Sequence, residues 1–415
     1  VNHKDSFVTG FLGRRDGFQV PIALAEAGKL CRFVTGAYDT GFLKRVGPIL
    51  PKSFRSALRK RNCDQVPEEL IDSRLTIEFG QNVSRMLGDK KNRSWLWANR
   101  AMSFAVSDLA RRFQSDLLLY EPYAAEAFSA KYSHAPRKVL FHFHLHPVFE
   151  RSLLDEDIKA YPPGPSSQFW LRTDAKPEND GRIVDLWRQA DLVLAASTFT
   201  KRSLVEQGMP PEKCFVVPYG INECDTPVID NVCPNFSVLF VGSGIQRKGL
   251  HHLLMAWKEA RLPLQSTLTL VCRNMDPAVS TLLASMPSSV TVLKGVSSDE
   301  LKRLFQQSSL FAMPSILEGF GQVFLEALSF GCPVLGTPNT CLPDLGDEAN
   351  GIFLTPVCDH RSLVCRLEEL SRLLTQSSAS EIRRRASSVA KQFSLRKFRL
   401  KLIAALNNLN GNQSS

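Results

Sequence analysis

Short apolar runs alternate with helix-period segments along most of this chain, and the alternation starts twice. Strands separated by helices pair in parallel and carry helices on both faces, so this pattern constrains the fold more than any other feature. In the first half, Ser6 to Gly13 reads as a strand and turn, followed by a helix over 19–29. Strands at 117–120, 138–144 and 191–197 follow, with helices at 123–130 and 198–206. A polar, proline-bearing stretch over 227–235 then interrupts the pattern. The second half restarts with strands at 238–241, 268–272, 290–293 and 310–313, and helices at 250–259 and 298–307. A helical region from 360 to 392 and a last helix over 393–409 complete it. Two doubly wound α/β units with a cleft between them are expected. Such sheets bind ligands beyond the carboxyl ends of their strands.

Within that frame the most informative segment is Pro314-Ser-Ile-Leu-Glu318-Gly-Phe-Gly321-Gln-Val-Phe-Leu-Glu326-Ala-Leu-Ser-Phe-Gly331-Cys-Pro-Val. It predicts a strand end, a glycine turn and a short helix over 321–330, closed by Gly331 and Pro333. Glu318 falls on the loop and Glu326 inside the helix. Gly319 and Gly321 allow the backbone to approach a ligand, and free N–H groups at a helix start favour a phosphate or another oxygen-rich ligand. By itself, an acidic turn before a solvated helix would account for the pair. The glycine and proline frame argues for a site.

A second glycine turn, Gly242-Ser-Gly244-Ile-Gln-Arg247-Lys248-Gly249, also lies between a strand and a helix. Such a turn can cradle a pyrophosphate, with two cations to neutralise a leaving group. In the first half, Phe141-His142-Phe-His144-Leu-His146 ends a strand with three histidines at period two, which places them on one face while the strand lasts. Metal ligation is disfavoured, because no acidic or thiol partner is near in sequence. Gly10 and Gly13 with Arg14-Arg15-Asp16 form a first-half glycine turn, where either arginine suits an anionic group or a place on the surface. Ser197 and Lys201 stand at a strand end.

The E-x7-E pair in its EGFG…EA…G.PV setting resembles glycosyltransferase family 4, a group of retaining enzymes with the GT-B fold. The resemblance extends over nearly the whole chain. It is strongest over 190–222 and 290–357 and weakest over 40–110. It implies two Rossmann-like domains, 1–226 for the acceptor and 236–395 for the donor, a helix over 396–410 packing back on the first domain, and a frayed tail at 411–415. It implies a nucleotide diphosphate sugar as donor substrate, no cofactor and no metal. Glu318 with the Gly319-Phe320-Gly321 backbone is expected to hold the donor sugar, and Glu326 the ribose diol. Lys248, with Arg247 and Gly244, is expected at the phosphates; Ser243 stands where many members carry arginine. The base lies beside the Lys294-Gly295-Val296-Ser297 loop in the family, so Val296 joins the donor set, and Gly13 joins it because the family's first-domain glycine turn approaches the donor. Arg273, Asn339 and Thr340 are further cleft candidates. His144 is the expected catalytic histidine, with His146, Arg14 and Ser197 on the acceptor side. The implied reaction moves a glycosyl group to a hydroxyl of a carbohydrate, lipid-linked or small-molecule acceptor. The alternative is a non-catalytic GT-B partner subunit.

Composition narrows the setting. The 415 residues suit two or three domains, and no apolar run reaches the ~18 residues of a membrane helix. The first residues, Val1-Asn-His-Lys-Asp, lack an initiator Met and a signal-peptide pattern, so the chain reads as trimmed. None of the ten cysteines forms a Cys-x-x-Cys pair, which fits the reducing cytoplasm. The net charge of +10 includes a basic block over 44–61 free of acids, suited to an anionic membrane surface at its inner face, to an anionic acceptor, or to a solvated loop. No nucleic-acid motif accompanies the charge.

Overall fold

A computed structural model describes residues 5–38, 61–86, 93–161, 181–222 and 235–411. The interruption over 227–235, nearly all of the basic 44–61 block and the last four residues lie outside these, apart from Asn235 and Arg61.

Among the described residues, thirteen strands form two parallel sheets. The first contains β1 (Phe7–Phe11), β2 (Leu30–Thr35), β3 (Ile71–Ser73), β4 (Asp116–Tyr120), β5 (Lys138–His142), β6 (Leu192–Ala195) and β7 (Cys214–Val216), in the order β3-β2-β1-β4-β5-β6-β7. The second contains β8 (Ser237–Val241), β9 (Thr267–Val271), β10 (Val290–Leu293), β11 (Leu310–Ala312), β12 (Val334–Gly336) and β13 (Ile352–Leu354), in the order β10-β9-β8-β11-β12-β13. Each sheet reverses its winding direction at one point, between β1 and β4 and between β8 and β11. Open α/β sheets bind their ligands at such points.

The central strands read as unbroken apolar runs because both faces are covered: β1 and β4 are buried at every position. The sequence underestimated the helical cover. Helices at Leu75–Met86, Arg93–Phe113, Pro147–Ala160 and Pro277–Leu283 were not anticipated. Arg93–Phe113 places buried Ala98, Met102, Val106 and Leu109 against the core at 3–4 residue spacing, but Trp95, Trp97 and Phe104 on its outer side blur that period.

The last helix, Leu395–Gly411, leaves the second domain and packs on the first helix, Gln19–Glu26. Arg399 fixes the crossing, donating to Glu26 Oε2 at 2.8 Å and Gln19 Oε1 at 2.6 Å. Phe398 is buried against Phe141 and Tyr219, at centroid distances of 6.1 and 5.8 Å. The chain also crosses at a short bridge, where Ile221 N donates to Phe393 O and Leu395 N to Ile221 O.

Candidate active site

The loop after β11 carries Glu318, and its carbonyls are almost all consumed. Ser315 O accepts from Thr337 Oγ1 at 2.6 Å, Ile316 O from Asn339 Nδ2 at 3.1 Å and Leu317 O from Arg247 Nη1 at 3.0 Å. Gly319 O accepts from two first-domain hydroxyls, Ser197 Oγ at 2.5 Å and Thr200 Oγ1 at 2.9 Å. Gly319 also abuts the first domain, since a Cβ on it would lie 2.0 Å from Phe143 O. Only glycine lets the two segments approach so closely. The loop is therefore held in place before any ligand arrives. Its donors are another matter: the N–H groups from Gly319 to Val323 are unpaired, and they end at the start of the helix Gln322–Ser329. Gly321, at φ 86°, turns the chain into that helix. Five free donors at a helix start suit an anion or a hydroxyl-rich ligand.

The other glycine turn differs from expectation. Gly242 N donates to Val271 O, Gly244 N to Asn274 O, Gln246 N to Asp276 Oδ2, Lys248 N to Ile245 O and Gly249 N to Gln246 O. Gly244 is thus spent on bracing the 274–276 segment and has no N–H for a phosphate. What this turn offers is side chains. Arg247 Nη1 and Lys248 Nζ each lie 3.0 Å from Glu318 Oε1. All three side chains are under one fifth exposed. Burial opposes ionisation of Glu318, but the two cations more than offset it and hold the carboxyl down to about 2. Burial likewise opposes the charge on Arg247, and Glu318 and Glu150 overcome it, so its pKa rises.

Glu326 stands within the helix Gln322–Ser329 that follows the loop. Its carboxylate reaches solvent and makes no hydrogen bond or ion pair. The surrounding protein raises its pKa, since no cation compensates for the lost hydration.

In the first domain β5 ends at His142, so the three histidines do not share a strand face. His142 is buried with Nδ1 2.5 Å from Glu121 Oε2; His144 is mostly exposed with Nδ1 2.9 Å from Glu121 Oε1. Burial raises the Glu121 pKa, but both imidazoles outweigh it and keep the carboxyl ionised well below the ordinary range. An ionised carboxylate only accepts, so His144 must carry its proton on Nδ1 and leave Nε2 for a ligand. His146 corrects the acceptor-side expectation: it is buried as the N-cap of Pro147–Ala160, accepting from Val148 N and meeting Val184 O at 2.7 Å. Neither ring nitrogen remains for an acceptor.

Ser197 is a second correction. It is fully buried, caps the helix Thr198–Val205 and spends its hydroxyl on Gly319 O, so it joins the domains and meets no acceptor. Lys201 Nζ is likewise taken by Cys214 O at 2.7 Å. Phe320 is buried edge-on against Tyr219 at 5.5 Å, so its ring anchors the loop while its backbone N–H stays unpaired. Asn339 braces the same loop, donating to Ile316 O and accepting from Glu318 N through its own carbonyl.

Gly13 and Arg14 follow β1, half-buried and exposed respectively. Arg14 lines a cavity of about 420 Å³ with Gln19, Asn62, Asn222, Arg396 and Arg399, under the crossing helix. Arg15 instead lies over the rings of Phe143 and Tyr120, 4.1 and 5.0 Å from their centroids, and Asp16 is bonded to the Tyr120 hydroxyl. Val296 is half-buried after β10, an outer strand two places from the β8/β11 switch. Arg273 is exposed after β9.

Two cleft residues escaped the sequence reading. Glu121 follows β4 directly, and the rule that ligands gather at a switch point would have found it had the strand order been known. Glu150 sits in the first turn of Pro147–Ala160, a helix that was not anticipated. Burial raises its pKa, while Arg247 and His144 draw it down and Glu121 and Glu318 push it up. This places it in the same field as the second-domain cations.

Residues 235–372, which hold the Arg247, Lys248, Glu318 and Glu326 set, match the family model of glycosyl transferases group 1. The putative colanic acid biosynthesis glycosyltransferase WcaL of Salmonella typhimurium is 27% identical over 222 residues, covering 50% of this chain and 54% of that protein. The MMP alpha-(1->4)-mannosyltransferase of Mycolicibacterium hassiacum is 27% identical over 199 residues, covering 47% of each chain. The chain thus spans about half the length of the curated relatives it matches. Anabaena HepE, solved in complex with UDP, superposes with a TM-score of 0.60 at 17% identity, covering 97% of this chain and 100% of that one. Sucrose-phosphate synthase from Thermosynechococcus elongatus superposes with a TM-score of 0.63 at 14% identity, covering 98% and 100%. The fold is GT-B: two parallel-sheet α/β domains facing each other. No helix among the described residues is long and apolar enough to cross a membrane.

Proposed function

We propose that this protein is a glycosyltransferase that moves a glycosyl group from a nucleotide diphosphate sugar to an acceptor hydroxyl. The observation that carries the proposal is the Arg247–Glu318–Lys248 cluster, buried beside five unpaired N–H groups and one free carboxylate, Glu326. The group 1 match over 235–372 and the glycosyltransferase relatives support it. In this reading the diphosphate lies between the Gly319–Val323 donors and the two cations. Glu318, kept ionised by those cations, accepts hydrogen bonds from sugar hydroxyls. Glu326 accepts from the ribose diol. As the bond from the anomeric carbon to the diphosphate oxygen breaks, the acceptor oxygen bonds to that carbon and its proton passes to the diphosphate. Negative charge grows on the leaving oxygen, where Lys248 and the N–H groups already point positive charge. Pre-organised stabilisation of that kind supplies ~10²–10³ in rate per donor. Attack on the leaving-group face, hence retention and membership of family 4, is part of the proposal, as is a reaction without a metal at the diphosphate. His144 Nε2 is assigned to the sugar or the acceptor. A carbohydrate or lipid-linked acceptor, and a cytoplasmic position at the inner face of an anionic membrane, belong to the same reading.

The test is a thermal-shift screen of wild type and Glu326→Ala with UDP, GDP, ADP and their sugar conjugates, followed by assay of donor-dependent diphosphate release. A ligand at ~100 times its Kd adds about 2.7 kcal/mol to the native state. One base is expected to stabilise the wild type and to act more weakly on Glu326→Ala. Binding without release over any acceptor would favour the non-catalytic partner subunit. No binding of any nucleotide would overturn the donor site.

A further inference from the structure

The helix Pro147–Ala160 of the first domain meets the helix Leu250–Glu259 of the second at a cluster the transfer reaction does not use. His251 Nε2 and His252 Nε2 lie 2.9 and 2.8 Å from one oxygen, Asp157 Oδ1. The three side chains are 1%, 5% and 1% exposed for His251, His252 and Asp157. Among the described residues this is the one group of three metal-ligating side chains whose ligand atoms converge, all within 4.8 Å of one another. The Tyr161 ring stands edge-on to both imidazoles, at 5.1 and 5.6 Å, and closes the cluster.

The hydrogen bonding here is lopsided. One carboxylate oxygen receives both imidazole N–H groups, while Asp157 Oδ2, His251 Nδ1 and His252 Nδ1 are buried with no partner. Each such atom gives up a hydrogen bond it would make with water and gains none in the fold. The atoms that converge are the paired ones, His251 Nε2, His252 Nε2 and Asp157 Oδ1, and with each ring's proton moved to its unpartnered Nδ1 they present three lone pairs to one cation. Two imidazole nitrogens and one carboxylate oxygen are the donor set of a borderline divalent ion, which binds them at ~2.0–2.2 Å and leaves a tetrahedral position for water. Ligand atoms around such an ion stand ~3.3 Å apart, so the 2.8–2.9 Å contacts need open by less than about half an ångström. The helix positions favour this as well. His251 and His252 lie in a stretch, Leu250 to Leu254, buried at every residue, where an aliphatic pair would otherwise be expected.

We propose that Asp157, His251 and His252 bind a divalent transition-metal ion of the zinc class and so staple the two domains together. The staple sits next to the donor loop. The helix of His251 and His252 starts directly after Arg247-Lys248-Gly249, and Gln246 Nε2 donates to Tyr161 O at 2.5 Å across the same interface. An ion bound there fixes the angle at which the two cations face the first domain. Its role is structural and independent of the transfer chemistry.

The test uses the full chain, stripped with a chelator and titrated with Co²⁺ under visible absorption, then with Zn²⁺. One Co²⁺ per chain with a tetrahedral spectrum, bleached by equimolar Zn²⁺ and accompanied by a rise in melting temperature, is the expected result. His252→Gln keeps an N–H donor toward Asp157 Oδ1 and removes the metal-binding lone pair. It should weaken Co²⁺ binding by ~100-fold or more while the metal-free melting temperature stays close to that of the wild type. Asp157→Asn, which keeps an acceptor oxygen for both rings, is the second variant should the first fail to fold. Wild type that takes up neither ion, or variants that bind Co²⁺ as tightly as wild type, would overturn the proposal and leave a hydrogen-bonded contact alone.

Discussion

The clamp on Glu318 gives the sharpest prediction. Its carboxyl is held at about 2, against an ordinary value of 4.5. At about 1.4 kcal/mol per pKa unit, this difference corresponds to roughly 3 kcal/mol favouring the ionised, clamped state. Two cations at 3.0 Å share the work, so Lys248→Met should remove only part of it. A fully broken buried pair costs ~3–5 kcal/mol, and with Arg247 remaining we expect roughly 1–3. Glu318→Gln should also destabilise, by leaving two buried cations facing each other. The informative quantity is the coupling between the two changes. In a double-mutant cycle read by urea unfolding at pH 7, the double variant should be more stable than the sum of the singles by ~1–3 kcal/mol. The pH dependence follows from the sign of the shift. The folded pKa lies below the unfolded one, so the contribution is complete above about pH 4.5. It fades between 4.5 and about 2, and it is absent below. The coupling measured at pH 5 should therefore equal that at pH 7. Additivity within ~0.5 kcal/mol, or coupling already lost at pH 5, would refute the clamp.

Three further predictions test how the cleft is built. Gly319→Ala places a Cβ against Phe143 O and should cost ~1–3 kcal/mol while enlarging the molecule in small-angle scattering; an unchanged melting temperature and radius would mean the close approach is not maintained in solution. Ser197→Ala removes the cap of Thr198–Val205 and one of the two hydroxyls on Gly319 O, for an expected loss of about 1–2 kcal/mol in urea unfolding; a loss below ~0.3 would show that the tie carries no load. Glu150 has a folded pKa above its unfolded value, so folding takes up protons and stability falls as pH rises through the window between the two. Glu150→Gln should flatten that slope and be at least as stable as wild type at pH 8, and a variant that loses more stability at pH 8 than at pH 5 would contradict the desolvation of this half-buried carboxyl.

Some of this protein could be read directly from its residue order, and the reason is locality. The strand-helix alternation, the turn from Glu318 through Gly321 into a helix carrying Glu326, and the Arg247-Lys248 pair after β8 each lie within one short segment. Turn chemistry and side-chain periodicity act over a few residues, so they leave a mark in a few residues. The GT-B fold followed from that pattern together with a family resemblance. What stayed hidden depends on which distant segments meet. Glu121 acquires its meaning from His142 and His144, which β5 places beside β4. Glu150 and Asp157 lie on a helix whose mixed face has no clean period, and they matter because that helix rests against the second domain. His146 and Ser197 looked like ligands for a substrate, but the backbone groups that occupy them belong to Val184 and Gly319, which are 38 and 122 residues away. Donor groups are visible in a sequence, but whether another part of the chain has already taken them is decided only when the chain closes on itself.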